Sequence, residues 1–433
     1  MISNTFSPDR QKEEQRKILI TNRYISMASY LTERGIQAGI HYDPSFVHNF
    51  RIGALQLNGL HPDKMEVISK ASMRNKLEYA AQLGANEHIR IVRDRGAVLI
   101  SFSLPQYLWE AVPINSIGHS RLLNQTIGWT VKRKPIRVNF KKPLETHALI
   151  AGSTGSGKTN MMMVLAYGLC TYNETSDVRI VIIDIEKKGQ DWHKFKDADH
   201  LLSPIATTLE EARTSLRIVN SELNKRISQN YNVPEIFVFV DELAEIMEDT
   251  FSQNIIGRIA QMGRSYGIHL ALGTQRVVKR ILSHPNLENN VTLRLCGKVN
   301  SANEAFLATK VAQTGADKLT GGSGEFILKT SQELVHIAAP LVTETDLATL
   351  PKGQSPVIIP ESHKAKAPSV TYDASAIEPE LLSRILTAKQ APTRSDFIRH
   401  FRVGQSRARY LLAYRTEFLK KLREQGYEIT PIA

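Results

Sequence analysis

The run Gly152 to Thr159, G-S-T-G-S-G-K-T, leaves a chain few ways to fold around it. It fits G-x-x-x-x-G-K-[ST], in which glycines take positive φ and turn backbone N–H groups onto phosphates. The lysine reaches the β/γ oxygens and the last hydroxyl can ligate Mg²⁺. Such a loop works only between a buried strand and a helix. Both are expected here: Ala148 to Ala151 is uniformly apolar, and Asn160 to Leu169 carries helix formers such as Met161, Leu165 and Ala166. The competing reading, a glycine-rich surface turn, needs neither flank. Gly152, Ser153, Thr154, Gly155, Ser156, Gly157, Lys158, Thr159 and Asn160 are therefore the expected phosphate cradle for ATP, with Thr159 on Mg²⁺.

What surrounds the loop is bounded by composition. A chain of 433 residues, 42% hydrophobic, can bury more than one core, so two or three domains are expected. No apolar run approaches the ~20 residues that cross a bilayer. The start, MISNTFSPDRQKEEQRK, lacks the apolar centre of a signal peptide, which predicts a cytoplasmic protein. Cys170 and Cys296 sit in apolar stretches without metal-ligand spacing and read as inert core thiols. A formal net charge of +12 favours a polyanionic partner without naming one.

Ahead of the loop, Gln11 to Gly35 places Ile18, Ile20, Tyr24, Met27 and Leu31 at helical spacing, a leading segment of one or two helices. A second amphipathic helix is predicted from Lys64 to Gly84, and alternating runs at His88 to Val92 and Ala97 to Phe102 flank a turn, a hairpin signal. In that order the helix, the hairpin HIRIVRDRGAVLISFSLP, the segment LNQTIGWTVKRKPIRVNFKKPLETHALIAG and the P-loop resemble the α and β motor domains of the FtsK/SpoIIIE family of DNA translocases. The resemblance spans roughly Lys64 to Ile337.

Downstream, VRIVIID (Val178 to Asp184) looks like the second parallel strand of a RecA-like sheet, and Asp184 and Lys187 fall where the family has an aspartate and a lysine. The competing reading makes Asp184 a carboxylate at a strand exit. IFVFVDE (Ile236 to Glu242) is the stronger motif. After a P-loop, an apolar strand delivers an acidic pair, Asp241 for the Mg²⁺ shell and Glu242 to deprotonate the attacking water. In RIAQMGRSYGIHLALGTQR, Thr274 and Gln275 end a strand and match the family's T-Q-R, where a polar pair senses the γ-phosphate. Resemblance to conjugation coupling proteins makes Arg264 a candidate arginine finger, with Arg226 and Arg294 as rivals. Two loops, Glu186 to Lys196 and Arg276 to Asn289, are expected to line a DNA channel, with Lys279 and Arg280 preferred as phosphate contacts. GGSGEFIL (Gly321 to Leu328) reads as a tight turn into a closing strand; the family has Asp where this chain has Glu325.

From Leu341 to about Ala376 periodicity fades into a Pro-, Ser- and Lys-rich tether. A helix-turn-helix pattern follows, with Gln405, Ser406, Arg407 and Arg409 on its outer face, which looks like the family's DNA-reading winged helix; a helical bundle for protein contacts is the alternative. The expected fold class is α/β: a helical segment (1–62), an α+β subdomain (63–120), a RecA-like P-loop ATPase motor (121–340), a linker (341–376) and a C-terminal winged-helix domain (377–433). The resemblance implies an ATP-driven pump for double-stranded DNA working as a homo-hexamer. Alternatives are a conjugative coupling ATPase with a membrane or conjugation-channel partner, a polypeptide secretion ATPase and an ATP-switched DNA-binding regulator.

Overall fold

The structure, a computed structural model, describes residues 8–36, 39–41, 51–84, 87–94, 97–110, 114, 123–282, 285–322, 324–330 and 333–353. Helix α1 (Pro8–Thr32) is followed by β1 (Gly39–His41), β2 (Ile52–Asn58), α2 (Pro62–Ser69), α3 (Ala71–Ala80), β3 (Ile89–Asp94) and β4 (Ala97–Ser103). The strands form one antiparallel sheet in the order β1-β2-β4-β3. Ile20, Met27 and Leu31 of α1 share a core with Leu77 of α3 and with Leu55, Ile100 and Phe102 of the sheet. The leading segment and the α+β subdomain, expected to part at residue 62, are thus built on one core. The helix expected from Lys64 to Gly84 is two helices, because the chain extends at Lys70 (φ −63°, ψ 139°) between α2 and α3.

The expected motor region continues with β5 (Asn124–Thr130), β6 (Pro135–Asn139), β7 (Ala148–Ala151), α4 (Lys158–Tyr172), β8 (Val178–Ile183), α5 (Leu209–Gln229), β9 (Glu235–Val240), α6 (Leu243–Met247), α7 (Thr250–Met262) and β10 (Ile268–Thr274). Then come α8 (Lys279–Leu282), α9 (Pro285–Asn290), β11 (Leu293–Cys296), α10 (Ala302–Thr309), β12 (Glu325–Lys329), β13 (Leu334–Ala338) and α11 (Glu344–Leu347). Their nine-stranded sheet has the order β6-β5-β13-β12-β11-β7-β10-β9-β8. From β11 to β8 neighbours run parallel, and from β11 out to β6 they run antiparallel. Apolar runs become the parallel strands because helices cover both faces. Met161, Leu165 and Leu169 of α4 lie in the core on one face. Leu216, Val219 and Leu223 of α5 and Ile256 and Ile259 of α7 lie in the core on the other. A capping box fixes where α5 starts: Thr208 Oγ1 accepts from Glu211 N while the Glu211 carboxylate accepts from Thr208 N.

The small sheet's second face meets the motor sheet, where Ile52, Ala54 and Leu99 pack with Val131 and Ala338. At the other end, Leu347 and Leu350 are buried in the motor core and Lys352 bridges to Ala198, so the motor extends past residue 340 and the expected linker begins later than 341. The chain divides into two units, Met1–Ile358 and Ile359–Ala433. The expected winged helix, with Gln405, Ser406, Arg407 and Arg409, lies outside the described residues. No helix among the described residues is long and apolar enough to cross a membrane.

Candidate nucleotide site

The loop between β7 and α4 is bent by Gly155 (φ 75°) and Gly157 (φ 92°), in the left-handed region that glycine tolerates best. The first helical hydrogen bond of α4 runs from Met161 N to Gly157 O (2.9 Å). The amides of Lys158, Thr159 and Asn160 therefore precede any intrahelical acceptor, at the positive end of the helix dipole. Four hydrogen bonds brace the loop: Gly152 N to Thr274 O (3.1 Å), Ser153 N and Oγ to Lys298 O (2.7 and 2.9 Å), and Gly322 N to Gly155 O (2.8 Å). A Cβ on Gly152 would stand 2.4 Å from Ser156 Oγ, so the close turn requires glycine there. This cradle fits a phosphate chain.

Lys158, buried, donates through Nζ to the Asp241 carbonyl and pairs with Asp241 Oδ2 at 3.2 Å. Thr159 Oγ1 donates to Asp241 Oδ1 at 3.2 Å. A hydroxyl and one carboxylate converging in this way fit Mg²⁺, which takes few protein ligands and completes its shell with phosphate and water. No group of three His, Cys, Asp or Glu able to hold a metal exists among the described residues.

Glu242 is buried beside them and held by three hydrogen bonds. Its Oε1 accepts from Thr274 Oγ1 (2.9 Å) and Ala244 N (3.3 Å), and its Oε2 accepts from Gln275 N (2.7 Å). Burial pushes the Glu242 carboxyl above its ordinary range, against the opposing pull of the Gln275 amide and the Lys158 charge. Thr274 can serve both neighbours because β10 lies between β7 and β9, with Thr274 opposite Ala151. Gln275 links two loops: Oε1 accepts from Thr154 Oγ1 (2.6 Å) and Nε2 donates to Glu186 Oε2 (2.9 Å). Asn160 is turned away from the phosphate side, donating to Pro340 O (2.7 Å) and accepting from Val342 N (3.0 Å).

Asp184 shapes its own loop, accepting from Lys187 N and Gly189 N at 3.1 Å each, and Lys187 pairs with Asp191. The three arginines separate by burial. Arg226 donates to Tyr266 O and Pro234 O (2.6 Å each) and pairs with Glu222, clamping the turn before β10. Arg294 donates to Ala308 O (3.1 Å) and Glu288 O (3.4 Å). Both are buried; Arg264, in the short 3₁₀ turn Gly263–Tyr266, is exposed. That turn precedes β10, roughly 20 Å along the strand from Thr274 at ~3.3 Å per residue. It therefore cannot reach the cradle of its own chain.

Residues 123–230 match the FtsK/SpoIIIE family. Over that segment the chain is similar to FtsK/SpoIIIE proteins. DNA translocase FtsK of Staphylococcus epidermidis is 27% identical over 327 residues, covering 66% of this chain and 39% of its own length. DNA translocase FtsK of Helicobacter pylori is 30% identical over 299 residues, 60% of this chain and 34% of its own. The chain thus spans little more than a third of the length of these curated relatives. Among solved structures, the pCW3 conjugation coupling protein TcpA, in its monomer form with ATPγS, aligns with a TM-score of 0.50 at 19% identity, over 75% of this chain and 96% of its own. That likeness bears on the P-loop ATPase fold.

Around the nucleotide cradle the expected channel loops are partly core. Trp192 and Phe195 of the first, and Val277, Ile281 and Leu287 of the second, are buried. Lys279 and Arg280 are exposed at the start of α8, where Arg280 pairs with Glu248 at 2.7 Å. Sequence reasoning missed Arg90. In the alternation of β3 it reads as a solvent residue, yet it is buried against the motor. The mixed sequence of a sheet covered on both faces carries no signal for that.

Proposed function

We propose that the chain is an FtsK/SpoIIIE-type motor that hydrolyses ATP to move double-stranded DNA through a ring of identical subunits, six as the family resemblance implies. The observation that carries this reading is the Glu242 carboxylate, held by Thr274 Oγ1 and Gln275 N next to the Lys158–Thr159–Asp241 group. A site that only binds nucleotide needs no such base.

In this reading Lys158 and the amides at the start of α4 bind the phosphates. Thr159 and Asp241 hold Mg²⁺, which would neutralise charge on the phosphate oxygens. Glu242 accepts the proton of the attacking water. Gln275, bonded to both Thr154 and Glu186, relays occupancy of the cradle to loop 186–196 and, through the chain after β10, to Lys279 and Arg280. Arg264 reaches the nucleotide of the adjoining subunit, since its own is out of range. The substrate assignment draws on the two DNA translocases that the chain resembles and on its +12 charge.

The test is ATPase rate with long duplex DNA, single-stranded DNA or a signal-bearing polypeptide, paired with displacement of a third strand from a triplex. Duplex should stimulate most, and the triplex strand should be released only with ATP. Stimulation by polypeptide and none by duplex would replace this reading with the secretion class.

A further inference from the structure

The cradle is braced from outside the motor. Ser153 donates twice to Lys298 O, and Lys298 Nζ donates to Asp317 O at 2.7 Å. The next carbonyl, Lys318 O, accepts from Arg90 Nη2 at 3.0 Å, and Arg90 belongs to β3 of the small sheet. On the other flank Gly322 N donates to Gly155 O at 2.8 Å, and a Cβ on Gly157 would stand 3.3 Å from Gly324 Cα. The residue after this glycine turn, Glu325, is buried. It accepts through Oε2 from Ser103 Oγ (2.9 Å), is bonded to His336 Nε2 (2.8 Å) and lies 3.8 Å from Arg90 Nη1. Arg90 Nη2 also reaches Ser103 Oγ at 3.1 Å.

Both turns that flank the phosphate-binding loop thus converge on one guanidinium. Gly315, in the first turn, leaves only enough room for Arg90: a Cβ there would stand 3.0 Å from Arg90 Cγ. Burying a charge this deeply costs free energy that its hydrogen bonds offset only in part, so what those bonds hold in place is of interest. What these bonds fix is the spacing of the two turns and hence the position of the amides between them.

We propose that Arg90 is a positioning residue for the P-loop, a side chain of the α+β unit that sets nucleotide affinity in the motor through Lys318 O on one side and Ser103–Glu325 on the other. The inference rests on residues 152–159 being a nucleotide site. It makes the small unit part of ATP binding rather than only a neighbour of the motor.

The test uses the full chain carrying Arg90→Lys, Glu325→Gln or Ser103→Ala, with ATPγS binding and steady-state ATPase as readouts. Loss of the brace removes binding shared by ground and transition states. KM for ATP should rise about tenfold with kcat within about twofold, and ATPγS should bind correspondingly more weakly. A merely structural role would lower the melting temperature and the active fraction while leaving KM unchanged. Unchanged KM in the variants that fold overturns the inference; should Arg90→Lys fail to fold, Ser103→Ala, the smallest change, decides. A wild-type chain that neither binds ATPγS nor hydrolyses ATP overturns the nucleotide reading itself, and this inference with it.

Discussion

In the proposed reaction Glu242 is the base, and its surroundings suit that role. Its burial raises the pKa, which makes it a better proton acceptor near neutrality, while three hydrogen bonds hold its oxygens in place. Because the deprotonated form does the work, turnover should be lost as pH falls through the raised value, so the acid limb of the kcat profile should lie above 4.5. Glu242→Gln keeps the shape and an acceptor. It should bind ATPγS normally while kcat drops about 10²–10⁴-fold, the range for removing a general base; an active Glu242→Gln chain would exclude this role. Lys158→Ala, by contrast, should weaken ATPγS binding itself, as a filter-binding assay would record. Asp241 and Glu242 are legible in the sequence because an apolar strand ending in an acidic pair has few other uses after a P-loop. The choice among Arg264, Arg226 and Arg294 is not legible there, because it depends on which backbone carbonyls surround each guanidinium.

At the scale of elements, the two ends of the parallel strands do different work. Their carboxyl ends build the cradle, and their amino ends carry a buried polar cluster. His147 Nδ1 accepts from Leu270 N (3.0 Å), while His269 bonds Glu235 (2.8 Å) and Thr146 O (3.0 Å). Burial first, and the adjacent His269 second, pull the pKa of His147 down to about 3; burial likewise lowers His336 to about 4. A histidine whose pKa is lowered by folding leaves the unfolded chain to bind the proton first. Stability is therefore full above about 6.5 and falls with pH below it, by about 2 kcal/mol for His147 between pH 7 and pH 5. His147→Asn retains an acceptor for Leu270 N but does not titrate. Urea unfolding at the two pH values should show about 2 kcal/mol less pH dependence than wild type, and an unchanged difference would mean that His147 is protonated in the fold. The apolar strands flanking this cluster are plain in the sequence, since burial on both faces leaves almost no polar positions. The break at Lys70 and the strand Ile52–Asn58 are not, because short segments take their form from the α1 helix and the motor sheet they pack on.

For the whole molecule, Arg264 at the far end of β10 can act as the proposed finger only on the nucleotide of a second subunit. Arg264→Ala and Glu242→Gln chains should each be nearly inactive, the first by about 10³-fold if the arginine acts as a finger. Mixed, they should regain turnover wherever an intact Glu242 faces an intact Arg264, and no recovery in rings shown to exchange subunits would remove the finger role. The remaining division of labour follows from what each part can read. A motor that travels over any sequence holds phosphates, which carry no sequence information, whereas choosing where to load requires contact with base edges. Residues 405–409, outside the described structure, supply Gln405, Ser406, Arg407 and Arg409 in the expected recognition helix, and an arginine paired with guanine is worth ~1–3 kcal/mol of discrimination. Removing the residues after about Ser375 should therefore leave duplex-stimulated ATPase intact and abolish preference for a loading sequence. Arg407→Ala in the full chain should flatten that preference more than it weakens total binding, because salt-dependent phosphate contacts elsewhere persist. Binding to randomised duplexes at fixed ionic strength measures both effects. A uniform loss across all sequences would make Arg407 a phosphate contact, and no loss at all would turn the tail into a surface for protein partners.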